Sequence, residues 1–109
     1  MTNNVTATAL PMVSTFASDP DMQPLVQMFV EEAPDKMEVL GTAMTQANLE
    51  AAKQFAHQLK GSAAGYGFPA LTEAAGHLER LLSQPQPDEQ LIAQSANTVL
   101  DMLQRLRAE

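Results

Sequence analysis

The sequence predicts an all-α fold, an antiparallel four-helix bundle with a short N-terminal helix. Three observations lead there. Apolar residues recur at helical spacing through four long segments. Ala, Leu and Met dominate, while Tyr and Trp together number one, which favours helix over sheet. The connections between segments are short, and short connections join antiparallel neighbours.

Residues 1–8 are polar and rich in Thr and Asn, and are expected to fray. The bundle is assigned to residues 9–109. Ala9–Ala17 reads as the short helix, with Pro11 tolerated in its first turn. Ser18-Asp19-Pro20-Asp21 is a turn and cap cluster. One long segment follows, from about Met22 to Gln46, with Val26, Phe29, Val30, Ala33, Met37, Leu40 and Met44 as its seam. Pro34 inside it should kink the helix or open one hydrogen bond. Ala47-Asn48 is the break. The third segment, residues 49–66, has Ala52, Ala56, Leu59 and Ala63 as its seam and ends at Gly65 and Gly67. Pro69 opens the fourth, whose inner face is Leu71, Ala74, Ala75, Leu78 and Leu82. Ser83–Pro87 is a loop and Asp88 a cap. The last segment, residues 89–107, has Ile92, Ala96, Val99, Leu103 and Leu106 as its seam. Arg105 and Arg107 fall in its last turn, where cations suit the helix dipole. Met22, Met28, Met37, Met44 and Met102 read as core filler. The chain carries no strand pattern, no repeat and no second domain.

Composition bounds the function. A chain of 109 residues, 45% hydrophobic, buries a real core as one domain. With no Cys, disulfides and thiol catalysis are excluded. The net charge of −7 repels nucleic acid, and no Lys/Arg cluster offsets it. The acidic surface serves solubility and leaves room for a partner with a basic patch. No apolar stretch reaches the length of a membrane span, and the start shows no signal-peptide pattern. The expectation is a cytoplasmic protein.

The chemistry gathers on one stripe of the third segment. His57, Lys60, Gly61 and Ala64 follow the i, i+3, i+4, i+7 spacing of one helical face. That face is too polar for core and too bare for an ordinary charged surface. It suits a nucleophilic imidazole that a bulky anionic group must reach. Gly61 costs the helix about 1 kcal/mol relative to Ala, so either access to the ring or close helix packing must justify it. Lys60 can place an ammonium beside the ring. Ser62 can donate to a phosphoryl oxygen or bond back to its own helix. A nucleophilic His needs its other nitrogen held as N–H. If segments three and four turn near residues 67 and 68, His57 lies level with residue 78. Glu79 is then the nearest carboxylate, accepting from Nδ1–H and leaving Nε2 as the nucleophile.

The stretch His57-x-Leu59-Lys60-Gly61-Ser62, followed by Gly67, Leu71 and Leu78-Glu79, resembles the histidine-containing phosphotransfer (HPt) domain family. The resemblance spans about residues 10–107. It implies a four-helix bundle that relays a phosphoryl group between receiver-domain aspartates, or takes it from a hybrid or chemotaxis-type kinase. It implies that His57 is the phospho-acceptor, Lys60 the neutralising cation and Gly61 the clearance residue. Glu79 falls where the family often has a Glu or Gln that bonds the imidazole. Ser83 stands where some members carry a second basic residue, with Arg80 close by, and Ala63 stands where many have a second Ser. No cofactor or metal of its own is implied, because the receiver supplies its divalent metal. The expected partner surface surrounds His57: Lys53, Gln54, Gln58, Ser62, Ala64, Gly65 and an exposed Phe68 as apolar anchor, with parts of the second segment. The molecule is expected to act as a monomeric carrier without kinase activity.

Two other classes compete. A non-catalytic bundle could bind and inhibit a receiver or kinase, but such a member would ordinarily lose the His or the Lys, and both are kept. A hydrolase or metalloenzyme lacks a paired nucleophile and base, and His57, His77 and Glu79 make a weak ligand set. His77 reads as a helix-surface residue, and Gly65–Pro69 as a helix stop with Tyr66 closing the core.

Overall fold

A computed structural model describes residues 10–109, so the frayed start expected over residues 1–8 lies outside the described residues. Among the described residues the apolar periodicity becomes five helices. They are α1 (Gln23–Glu31), α2 (Ala33–Thr45), α3 (Leu49–Gly65), α4 (Pro69–Leu82) and α5 (Glu89–Arg105). Two short strands, β1 (Met12–Val13) and β2 (Leu106–Arg107), pair in parallel. The molecule is mostly helical, as an all-α chain should be.

The long helices pack in a closed circuit. α2 touches α3 and α5, and α4 touches α3 and α5. The α3–α4 contact is the most extensive. Small residues explain why: Ala52, Ala56 and Ala63 on α3 and Ala75 and Gly76 on α4 are all buried, and small side chains let helix axes approach. Leu40, Leu59, Leu71, Leu78, Ile92, Val99 and Leu103 fill the interior, each 2% exposed or less. α1 lies over one end, where Phe29 stacks on Tyr66 and Phe68 with ring centroids 4.9 and 5.7 Å apart.

Two turns set the helix order. α2 ends in a Schellman motif: Asn48 N–H donates to Ala43 O at 2.8 Å and Ala47 N–H to Met44 O at 3.1 Å. The αL position is Ala47, with φ 52°. Asn48 then caps α3 by accepting from Ala51 N–H. α3 ends the same way, with Phe68 N–H on Ala63 O at 2.9 Å and Gly67 at φ 85°. Asp88 caps α5 by accepting from Gln90 and Leu91 N–H.

Several expectations need correction. Residues 10–17 form no α-helix. Pro11 lacks the N–H a ladder needs, Ser14 takes the Phe16 N–H on its own hydroxyl, and Met12 and Val13 pair with Leu106 and Arg107 instead. The absence of any strand is corrected by the same pairing. The long second segment is two helices, divided at Glu32, with Pro34 in the first turn of α2. The last helix stops at Arg105, so Arg107 lies in β2. Met28 is 57% exposed rather than core filler, whereas Met22, Met37, Met44 and Met102 pack against the core.

Candidate functional site

α3 and α4 bring three of the sequence-predicted side chains together. His57 lies on the outer face of α3, one position beyond the buried seam residue Ala56, and its side chain is 68% exposed. Glu79 lies on α4, next to buried Leu78, and is 19% exposed. The His57 Nδ1 to Glu79 Oε2 distance is 2.8 Å. The other carboxylate oxygen, Oε1, takes the Lys60 ammonium at 2.8 Å. One carboxylate therefore serves both residues of the α3 stripe.

The electrostatics assign the tautomer. The Lys60 ammonium first, and the His57 ring second, hold the Glu79 carboxyl below the usual carboxylate range. An ionised carboxylate only accepts, so Nδ1 must donate to it. In the neutral ring the lone pair is then on Nε2, on an imidazole open to solvent.

Gly61 is exposed, and a methyl group there would meet nothing within 4 Å. Close helix packing does not explain this glycine, because the space an added methyl would fill is open. Ser62 donates back to Gln58 O at 3.1 Å and Leu59 O at 3.3 Å, so its hydroxyl is bound to its own helix. Of the expected partner surface, Gln54, Gln58, Ala64 and Gly65 are exposed, and Lys53 is half-buried. Phe68 is the clear correction. It is 1% exposed and stacks on Phe29, because the residue after an αL glycine turns back against the helix it ends.

His77 is exposed and borders a groove with Leu91 and Gln94 of α5. Among the described residues, no group of three or more acidic or His side chains is placed to hold a metal ion. No helix among them is long and apolar enough to cross a membrane.

Two features escaped the sequence reading. An open groove between α2 and α3, beside the His57 face, is lined by Val39, Phe55 and Gln58, with Glu32 and Asp35 also bordering it. Val39 is 55% exposed there, an outlier from the apolar seam that could have flagged it. Gly76 lies buried on α4, one turn before Glu79, and the Lys60 stem crosses it. Its i, i+3 relation to Glu79 was the available signal.

The family model for the Hpt domain matches residues 24–109. The chain belongs to the Hpt domain family. Hpt domains are phosphocarrier modules with a phosphotransfer role in two-component signalling, where they work with receiver domains and kinases. Neither the curated proteins nor the solved structures yield a match to this chain.

Proposed function

We propose that this protein is a phosphorelay intermediate. His57 accepts a phosphoryl group from a receiver-domain aspartate or a kinase and passes it to another receiver domain. The observation that carries this reading is an exposed imidazole whose Nδ1 is held 2.8 Å from a carboxylate. The same reading takes the four long helices as an antiparallel bundle that acts as a monomer in the cytoplasm.

The step is a direct displacement. The Nε2 lone pair forms a P–N bond as the P–O bond to the partner's aspartate breaks, and the aspartate carboxylate leaves with that electron pair. Nδ1 keeps its proton. The phosphorylated ring is cationic, and the Glu79 carboxylate faces that charge. Lys60 neutralises negative charge next to the reacting group, since it pairs with Glu79 in the resting state and lies on the His57 stripe. Phosphoryl transfer of this kind needs positioning and charge neutralisation more than covalent help from the carrier. The receiver supplies its own divalent metal, and the carrier has no autonomous kinase activity.

Exposed Gln54, Gln58, Gly61, Ala64 and Gly65 form the docking face, with the α2–α3 groove at its edge. The groove's Val39 and Phe55 replace Phe68 as the apolar anchor in this reading.

The test is intact mass after incubation with a phosphorylated receiver domain, for the wild type and His57→Gln. One added phosphoryl group, labile in acid and absent from the variant, is expected. No added mass across a panel of receivers, with binding retained, overturns the carrier reading in favour of a docking bundle.

A further inference from the structure

Lys60 reaches Glu79 from the neighbouring helix, and its path is unusual. A Cβ built at Gly76 would stand 3.3 Å from Lys60 Cδ and 3.9 Å from Lys60 Cγ, with Arg80 Nη1 at 3.6 Å. The Lys60 stem thus lies directly on the bare backbone of α4. Glycine is unfavourable inside a helix, and Gly76 sits well within the 14 residues of α4. It differs from the helical glycines Gly41, Gly61 and Gly65, where an added methyl meets nothing within 4 Å. Gly76 and Glu79 share one face of α4, three residues apart.

We propose that Gly76 is a positioning residue of this site. Having no side chain, it leaves a shelf on α4 for the Lys60 stem, so that the ammonium reaches Glu79 Oε1 and Oε2 is left to His57. Its consequence for transfer rests on the phosphorelay reading. A side chain at position 76 lifts the Lys60 stem off the helix and loosens the 2.8 Å ion pair. Glu79 then loses its Lys60 cation while keeping the His57 contact. The groups facing that carboxylate are the Lys60 ammonium and the His57 ring from α3, and Arg80, on the same helix as Glu79, lies against the Gly76 position.

The test compares wild type, Gly76→Ala and Gly76→Leu in two measurements. One is the NMR titration of the Glu79 side-chain carboxyl, which needs no partner. The other is the rate of phosphoryl uptake from a phosphorylated receiver. Gly76→Leu is expected to raise the Glu79 titration toward the ordinary carboxylate range and to slow uptake severalfold. Gly76→Ala should move both in the same direction by less. It carries the test if circular dichroism shows that the Leu variant has lost helix. In a Lys60→Ala background, Gly76→Leu should add no further loss, because both changes remove one interaction. An unchanged Glu79 titration in both variants overturns the proposal, as does a full additional loss in the Lys60→Ala background. A titration shift in a protein whose wild type takes up no phosphoryl group supports the placement of Lys60 and overturns the phosphorelay reading alone.

Discussion

A single carboxylate organises the site. Glu79 has two oxygens, and each meets a different side chain of α3 at 2.8 Å. Its folded titration lies below its unfolded value, chiefly through Lys60 and then His57. Such a group contributes stability that is fully present above the ordinary carboxylate range and is lost as pH falls through the lowered folded value. The stability difference between wild type and Glu79→Gln should therefore be flat near neutral pH and shrink on acidification. Denaturant titrations over that range check it, and a difference that grows toward low pH contradicts the ion pair. Gly61 gives a second prediction at this scale. An added methyl meets nothing within 4 Å, so Gly61→Ala should raise stability by about 1 kcal/mol through helix propensity. Chemical denaturation measures this directly. A loss of stability would mean that the backbone there needs the glycine for packing after all.

Elements meet at two αL turns that carry different residues. Gly67 is fitted to its turn twice over. Its φ is 85°, and a Cβ there would lie 2.6 Å from both Ser14 Oγ and Thr15 Oγ1. The N-terminal strap docks on this turn, with Thr15 N–H donating to Gly67 O and the Ser14 hydroxyl to Tyr66 O. Gly67→Ala should destabilise by about 2–3 kcal/mol, combining αL strain with the clash. Ala47 occupies the same kind of position with φ 52° and is exposed. Ala47→Gly should stabilise by a fraction of that, about 0.5–1 kcal/mol, less any gain in unfolded-chain entropy. Thermal melts of the two variants should shift in opposite directions. A shift of both in one direction would show that helix propensity, not turn conformation, governs these sites.

At the scale of the whole molecule, the core ends against α1. Phe29, Tyr66 and Phe68 stack there, and Phe68 is 1% exposed. Phe68→Ala should cost about 3–5 kcal/mol by opening a cavity. That is a large share of a typical domain stability of about 5–15 kcal/mol. An unfolding midpoint unchanged by the substitution, with receiver binding reduced, would instead restore Phe68 to the surface. The net charge of −7 over 109 residues favours solubility. Salt bridges such as Lys36–Glu32 and Arg105–Asp101 are helix-surface pairs and add little to stability.

What the sequence determined by itself was local and periodic. Ala52, Ala56, Leu59 and Ala63 on α3, and Ile92, Ala96, Val99 and Leu103 on α5, are all buried as their spacing requires. The helical repeat assigns a face without knowledge of the neighbour. Register across one short turn was also legible, because two helices joined by a tight connection stay level over a few turns, and this placed Glu79 opposite His57. Tertiary structure alone decided the rest. Residues 10–17 carry an apolar pattern that fits a helix, yet Leu106 and Arg107, just past the last turn of α5, offered Met12 and Val13 a strand partner. Phe68 reads as a surface residue of a turn, but the turn folds it into the core, where Phe29 of α1 stacks on it. Lys60 could have faced solvent or a ligand, and the missing side chain at Gly76 sends it to Glu79. Each of these depends on which surface covers which, and periodicity along one chain segment carries no information about that.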